Sequence, residues 1–141
     1  MSYNISLRVY QRNPARGFFY IVEKTVFTKG IWSEVNDTHT LKMNGSGTSG
    51  VLRFFSEDTG ELFTVAVGVH NYKRWCDIVG GITEIDTALV INGQYYNNGG
   101  RDWIREKQLA EYSGTSPAGT KVEVVFTVAE GNDLKANIII G

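Results

Sequence analysis

The sequence predicts a mainly β fold with a small helical part, in the form of a sandwich or a barrel. Three observations support this. Short segments alternate between apolar and polar residues, these segments are rich in β-branched and aromatic residues, and clusters of turn-forming residues separate them. At 141 residues the chain is long enough to bury one hydrophobic core, so we expect residues 1–141 to form a single domain.

Strands are predicted along most of the chain. Residues 1–10 show the clearest pattern, because Tyr3, Ile5 and Leu7 alternate with polar residues as in a strand with one buried face. Further strands are predicted at residues 18–27, 38–43, 51–55, 62–69, 121–128 and 136–140. Turns are expected at Asn13-Pro14 and at residues 44–50, 57–60 and 130–133.

A helix is predicted after the buried strand at residues 62–69. Apolar residues then occur at positions 72, 75, 76 and 79, which is the spacing of one helix face. Asn71 precedes this stripe where an N-cap should be, and its side chain could accept a hydrogen bond from the first turn. Residues 68–79 are therefore interpreted as a strand-to-helix junction, which is a natural place for a binding site.

A second helix is predicted after Gly80-Gly81. Thr83 and Asp86 have the spacing of a capping box, and Ile85, Ala88 and Leu89 would form the buried face. The two segments together predict a helix-loop-helix inserted between β segments. Residues 101–112 fit neither a helix nor a strand clearly.

The charge balance argues against nucleic acid as a partner. The chain has 14 basic and 15 acidic residues and a net charge of −1, so it lacks the positive excess that phosphate backbones or anionic membranes attract. Residues 1–10 do not resemble a signal peptide, and the single cysteine, Cys76, excludes an internal disulfide. We therefore expect a cytoplasmic protein that does not insert into membranes.

A glycine-rich segment at residues 45–50 has the G-x-G-x-x-G spacing of dinucleotide-binding loops. That motif requires a helix after it, whereas a strand is predicted to follow here. Two interpretations remain. The segment is a plain hairpin loop, or its exposed backbone groups and the hydroxyls of Ser46, Thr48 and Ser49 lie close to a small polar ligand such as a sugar.

Catalytic and metal sites have little support. Ser46, His70 and Asp77 could form a hydrolase triad, but the chain has no G-x-S-x-G segment. His39 and His70 have no partners at metal-ligand spacing, so we expect no metal and no cofactor. Acidic residues in the turns are more typical of a solvated surface than of a glycosidase pair.

Several side chains are of the types that bind sugars. A sugar ring has one apolar face and a rim of paired donors and acceptors, so aromatic rings combined with amide, carboxylate and guanidinium groups suit it. Asn71, Asp77, Arg101 and Tyr112 are of these types. The sequence does not show whether they converge.

The chain resembles the fungal fruit-body lectins, the family found in button mushrooms and boletes. The most specific match is the run Gly-Val-His-Asn-Tyr-Lys-Arg-Trp-Cys-Asp at residues 68–77, together with the glycine segment at residues 45–50. Further similar segments lie at residues 5–11, 17–19, 51–54, 87–92, 95–96, 105–109 and 130–137, so that the resemblance covers essentially the full length.

This resemblance implies a two-sheet α/β sandwich joined by a helix-loop-helix, similar to the actinoporin fold. It also implies a homotetramer that binds carbohydrate and is not an enzyme. Members of the family bind the disaccharide Galβ1-3GalNAc (the T-antigen or core-1 O-glycan) and GalNAc at one site, and terminal N-acetylglucosamine at a second. Glycans and glycoproteins with these ends are therefore the expected partners.

The resemblance also implies which residues form the two sites. Carried over by motif, the galactose and GalNAc site would use Ser46, Gly47 and Asn71, with His70 beside them. The N-acetylglucosamine site would use the following residues: Asp77, Ile78, Gly80, Arg101 and Tyr112.

Two positions depart from the family pattern. Relatives carry a longer loop before the tryptophan that matches Trp32, and that loop touches the disaccharide, whereas this chain has only Thr28-Lys29-Gly30-Ile31. Relatives also have a threonine where this chain has Gly80, which removes one hydroxyl from the second site. Affinity is expected to change at both sites.

Three other functions are weighed against the lectin hypothesis. A membrane-active pore-former is suggested by fold analogy alone, and residues 1–10 have the pattern of a strand instead of a basic amphipathic helix. The others are an enzyme that acts on glycans and a structural or storage protein.

Overall fold

The computed structural model describes residues 2–13 and 17–141. Within them it contains ten strands and two short helices. The strands are β1 (Tyr3–Gln11), β2 (Tyr20–Val26), β3 (Gly30–Val35), β4 (Thr38–Met43), β5 (Thr48–Phe55), β6 (Leu62–His70), β7 (Lys73–Val79), β8 (Glu111–Thr115), β9 (Lys121–Val128) and β10 (Asp133–Ile140). The helices α1 (Ala88–Gly93) and α2 (Asp102–Lys107) lie between β7 and β8.

The strands form two sheets. The six-stranded sheet has the order β3-β4-β1-β10-β9-β8 and the four-stranded sheet has the order β2-β5-β6-β7. Within the six-stranded sheet β1 and β10 run parallel, and the neighbouring pairs are antiparallel. The helices lead from β7, at the edge of one sheet, to β8, at the edge of the other. The two-sheet sandwich joined by a helix-loop-helix is confirmed.

Two hydrophobic cores hold these layers together. The larger one lies between the sheets, where Ile5 and Leu7 are fully buried and the rings of Phe54 and Phe63 stack at 4.9 Å. The smaller one lies between the outer face of the four-stranded sheet and the helices, and it includes Trp75. Strands β5 and β6 are therefore covered on both faces, which explains their nearly continuous apolar sequence.

The predicted strands are all present, and two have the predicted bounds: β4 and β9. Part of one predicted turn, Pro14 of Asn13-Pro14, lies outside the described residues. Strands β3, β7 and β8 were not predicted. β3 and β8 are largely exposed edge strands, so they lack the alternation of a strand with one buried face.

The helix predicted at residues 72–79 is wrong. Residues Asn71 and Tyr72 have φ angles of 51° and 66° and form a two-residue turn, after which β7 pairs antiparallel with β6. Positive φ at both central residues is what a tight hairpin turn needs. Asn71 is therefore a turn residue and not an N-cap.

Burial of β7 on both faces explains the false helical pattern. Trp75 and Val79 pack against the helices, whereas Cys76 lies in the core between the sheets. Apolar residues on alternating faces of this strand happen to fall at helical spacing. Tyr72, the first residue of the supposed stripe, is 75% exposed.

The second helix was predicted one turn too early. Asp86 accepts a hydrogen bond from the Thr83 backbone at 2.8 Å, but this contact closes a turn. The helix begins at Ala88, where the Glu23 carboxylate accepts from the backbone N–H groups of Ala88 and Leu89 at 2.8 and 3.3 Å. Ala88 is buried as predicted, whereas Leu89 and also Ile85 are exposed. Helix α2 and strand β8 occupy the segment that the sequence left undecided.

In the described part of the chain, no helix is long and apolar enough to cross a membrane.

Gly68 offers a test of this packing. A Cβ at this position would lie 2.6 Å from the Thr48 carbonyl oxygen and 2.7 Å from Trp75 Nε1. We predict that Gly68→Ala lowers the free energy of unfolding by about 1–3 kcal/mol, because the added methyl group overpacks the smaller core. The control is Gly114→Ala, where a Cβ meets nothing within 4 Å. Equal denaturant midpoints for both variants would contradict the packing described.

Candidate functional site

Two loops meet at one end of the sandwich and bring the residues of the first predicted site together. The loop at residues 44–47 connects β4 to β5, and the Asn71-Tyr72 turn connects β6 to β7. The Tyr72 backbone N–H donates to Ser46 Oγ at 3.0 Å, and the Gly47 N–H donates to the Val69 carbonyl at 2.8 Å. Ser46, Gly47 and Asn71 are therefore neighbours, although 24 or more residues separate the loop from the turn along the chain.

The local backbone leaves the polar groups of these loops available. Gly47 has a φ of +93° and a Cβ there would meet nothing within 4 Å, so the loop surface is open. Since Ser46 Oγ accepts from Tyr72, its own proton remains able to donate. The Asn71 side chain is exposed and makes no hydrogen bond to the described residues, so its amide can both donate and accept.

The short loop before β3, which contains Thr28 and Lys29, forms the other wall of a depression beside residues 44–48. Thr48 Oγ1 donates to the Thr28 carbonyl at 2.6 Å and accepts from the Thr28 N–H at 3.2 Å. The Asn44 N–H donates to the Lys29 carbonyl at 3.0 Å. A shallow depression of about 440 Å³ results, lined by Thr28, Lys29, Asn44, Gly45, Ser46, Gly47 and Thr48.

His70 lies next to this turn, and helix α2 fixes its orientation. Arg105 Nη1 lies 3.1 Å from His70 Nδ1, and Gln108 Nε2 donates to the His70 carbonyl at 2.7 Å. A guanidinium can only donate, so Nδ1 accepts and the ring proton is on Nε2. Nε2 has no partner in the described residues and is not a fully buried atom. It is therefore a free donor beside Asn71.

Asp77 is the central residue of the second predicted site. Its side chain points from β7 toward the helices and is 5% exposed. The Tyr95 hydroxyl donates to Asp77 Oδ2 at 2.6 Å. The Ile78 backbone N–H also lies close enough to the carboxylate to favour its ionised form. Oδ1 makes no side-chain hydrogen bond to the described residues and is not fully buried, so it can accept a further hydrogen bond.

Burial raises the pKa of Asp77 above that of an ordinary aspartate, and four groups oppose this effect: the Tyr95 hydroxyl, the Ile78 backbone N–H, Arg101 and Lys107. Arg101 therefore lies within electrostatic range of the carboxylate. Its Nε donates to Gln94 Oε1 at 2.8 Å, which orients the guanidinium. Its terminal nitrogens make no hydrogen bond to the described residues and are available as donors.

The other three predicted residues lie in a separate pocket of about 350 Å³, where the edge strands β7 and β8 face each other. Ile78, Gly80 and Tyr112 line it together with residues 114–117. Asp77 and Arg101 do not line this pocket. Asp77 and Ile78 are neighbours in β7, and neighbouring residues of a strand point to opposite faces. The second site is therefore divided into a carboxylate part on the helix side and a pocket at the strand edges.

Gly80 leaves free space in this pocket. A Cβ at this position would meet only the Ser116 Cα, at 4.0 Å. A larger side chain can be accommodated without displacing its neighbours.

The geometry does not support a hydrolase triad. Ser46 contacts the Tyr72 backbone, His70 contacts Arg105, and Asp77 contacts Tyr95. Cys76 is fully buried in the core between the sheets, and this burial raises the pKa of its thiol to about 12. Across residues 2–13 and 17–141, no group of three or more His, Cys, Asp or Glu side chains could hold a metal ion.

Sequence reasoning missed the residues that support these sites. Tyr95, Gln94 and Arg105 position Asp77, Arg101 and His70, respectively, across 7 to 35 residues of sequence. No local pattern pairs residues so far apart. The one available signal was the buried position of Asp77 beside a core tryptophan, since a buried carboxylate needs a partner.

Comparisons with known proteins agree with the fold and with the family that the sequence resembles. The family model described as "Fungal fruit body lectin" matches residues 1–138. The Boletus edulis lectin is 68% identical over 142 residues, which cover 99% of this chain and 99% of that protein. The crystal structure of wild-type Xerocomus chrysenteron lectin XCL is 69% identical, with a TM-score of 0.97 and full coverage of both chains. A mutated form of XCL, solved at 1.4 Å, matches equally well.

The raised pKa of Asp77 makes a prediction about stability. A carboxyl group whose folded pKa lies above its unfolded value stabilises the fold when protonated, so its ionised form at neutral pH lowers stability. We predict that Asp77→Asn is at least as stable as the wild type at pH 7. The difference between them should shrink as the pH falls through the raised pKa. Thermal unfolding at several pH values measures this.

Tyr95→Phe provides the control, because it leaves Asp77 buried without its donor. It should lower the free energy of unfolding by about 1–3 kcal/mol. An Asp77→Asn variant that is clearly less stable than the wild type at pH 7 would show that the ionised carboxylate stabilises the fold, contrary to this account.

Proposed function

The chain belongs to the fungal fruit body lectin family, and from this membership we propose that it binds two different classes of sugar at two separate sites. As a lectin of this family it binds carbohydrate, and because the family's proteins are non-catalytic we expect no enzymatic activity. The first site would take Galβ1-3GalNAc and GalNAc. The second would take terminal N-acetylglucosamine.

The observation that carries the proposal is the contact between the two loops. The hydrogen bond from Tyr72 to Ser46 brings the turn with Asn71, and the adjacent His70, against Ser46, which lines the shallow depression. A sugar bound there could accept from the Ser46 hydroxyl and from His70 Nε2, and both donate to and accept from the Asn71 amide. Adjacent sugar hydroxyls need such mixed partners, because each of them is both a donor and an acceptor.

The second site offers charged partners. The free oxygen of Asp77 would accept from a sugar hydroxyl, and the terminal nitrogens of Arg101 would donate. Charge-assisted hydrogen bonds are stronger than neutral ones, so this site can bind one sugar with few contacts. The pocket of Ile78, Gly80 and Tyr112 is also lined by Phe63, Pro117 and Val122, and such apolar side chains suit the N-acetyl methyl group.

A membrane-active function is not proposed. The first described residues form β1, which lies between β4 and β10 inside the six-stranded sheet. An amphipathic helix that inserts into a membrane would need this segment to leave the sheet.

We also propose that the chain acts as a homotetramer. Single shallow sugar sites bind weakly, and rigidly linked copies turn later binding events into intramolecular ones. The partners would be glycoproteins with core-1 O-glycans or exposed N-acetylglucosamine. The expected role is defence, and the expected location is the cytoplasm. Sedimentation velocity tests the assembly, and a monomer would refute it.

The two sites can be separated with matched variants. We predict that Asn71→Ala weakens binding of Galβ1-3GalNAc by roughly 2–10-fold, the value of one neutral hydrogen bond. Asp77→Asn should weaken binding of N-acetylglucosamine by roughly tenfold or more, because a charged acceptor is lost. Each variant should bind the other sugar as the wild type does. Isothermal titration with both sugars measures this.

Gly80→Thr serves as the gain-of-function control. It adds a hydroxyl to free space, so it should strengthen N-acetylglucosamine binding only. If Asn71→Ala and Asp77→Asn lose the same sugar equally, the separation into two sites is wrong. If the wild type binds neither sugar, the proposed specificities are wrong, although the chain remains a lectin.

A further inference from the structure

The loops that form the first sugar site have an excess of positive charge, although Asp133 on β10 lies at the same end of the six-stranded sheet. These loops and their flanks, residues 27–30, 42–48 and 69–74, contain no aspartate and no glutamate. Their basic residues are Lys29, Lys42, Lys73 and Arg74. The whole chain has a net charge of −1, so this local excess does not follow from a basic composition.

Lys29 is the basic residue that lines the depression itself. Its side chain is exposed, and none of the lining residues is acidic. In the part of the chain that the structure describes, the ion pairs involve other basic residues, namely Lys24, His39, Arg53 and Arg105. The Lys29 ammonium group is therefore free to contact a ligand in the depression.

The loop holds Lys29 in a fixed position. Lys29 has a φ of +50°, a conformation that a lysine rarely adopts. Its carbonyl accepts from Asn44, and the preceding Thr28 is held on both backbone groups by Thr48. Because these contacts fix the conformation of the loop, the backbone of Lys29 keeps its position in the wall of the sugar site.

We propose that the first site prefers glycans that carry an anionic group next to the galactose, and that Lys29 determines this preference. This inference rests on the proposed function of that site. A sulfate ester and the carboxylate of a sialic acid share the required chemistry, since each places a negative charge at the rim of the sugar. An exposed ion pair of this kind strengthens binding by roughly 2–5-fold, and the shortened loop supplies it in place of neutral contacts.

The test compares three probes on one scaffold: neutral Galβ1-3GalNAc, the same disaccharide with a sulfate on the galactose, and the same disaccharide with a sialic acid on the galactose. The wild type should bind at least one anionic probe roughly 2–5-fold more tightly than the neutral one. The preference should disappear near 1 M salt, where the screening length is about 3 Å. Isothermal titration of the full chain measures all three affinities.

Lys29→Asn should abolish the preference, so that this variant binds the anionic and the neutral probes with equal affinity. Asparagine tolerates a positive φ, so the loop can keep its conformation. Lys29→Arg should retain the preference. The matched control is Lys121→Asn, which makes the same change of charge at the start of β9, at the opposite end of the sandwich, and should behave as the wild type.

The outcomes separate this inference from the proposed function. A preference for only one of the two anionic probes identifies which substituent fits and supports the role of Lys29. Equal binding of all three probes by the wild type overturns the inference and leaves the sugar site intact. A preference that survives in Lys29→Asn also overturns it. Failure of the wild type to bind any of the three probes overturns both proposals.

Discussion

The hairpin of β6 and β7 is the constraint on which both candidate sites depend. Its two-residue turn places Asn71 beside Ser46, and its register places Asp77 opposite Ala66 and under Tyr95. A shift of the register by one residue would turn Asp77 into the core between the sheets and Cys76 toward the helices. The turn therefore sets the geometry of one site directly and that of the other through the register.

Both faces of β7 are buried, which positions the proposed binding residue Asp77, and burial of this carboxylate lowers the stability of the fold. The inner face contributes Cys76 and Ile78 to the larger core or its margin, whereas the outer face carries Asp77 among aromatic residues. Desolvation raises the pKa of this carboxylate, so the fold holds a charged acceptor at a cost in stability. Tyr95 satisfies one oxygen and leaves the other for a ligand. Such a compromise is typical of a binding residue.

The sequence was sufficient to predict those strands that have one buried face and one solvated face. Alternation located β1, and the bounds of β4 and β9 were correct. It failed at β7, because a strand buried on both sides can place apolar residues at helical spacing. It also failed at the start of α1. The Thr83 and Asp86 contact forms, but the helix is capped by Thr87, whose side chain accepts from the Val90 N–H, and by Glu23, 65 residues away from Ala88. Such distant partners have no local signal.

The candidate residues themselves came from the family resemblance, and the structure adds how they are held. The structure shows that Ser46 is hydrogen-bonded to the turn that contains Asn71. It shows that Arg105 contacts His70 Nδ1, which leaves Nε2 as the donor of that ring. It also separates Asp77 and Arg101 from the pocket that Ile78, Gly80 and Tyr112 line. None of these relations follows from residue types or spacing. They require the side chains to be placed in three dimensions.

The most direct test of two separate sites is an NMR titration of the isotope-labelled chain with each sugar in turn. Galβ1-3GalNAc should shift the amide signals of residues 44–48 and 69–72 and the Nε2–H signal of His70. N-acetylglucosamine should shift the signals of residues 77–80, 101 and 112. If both sugars shift one common set of signals, the account of two sites built on one hairpin is wrong.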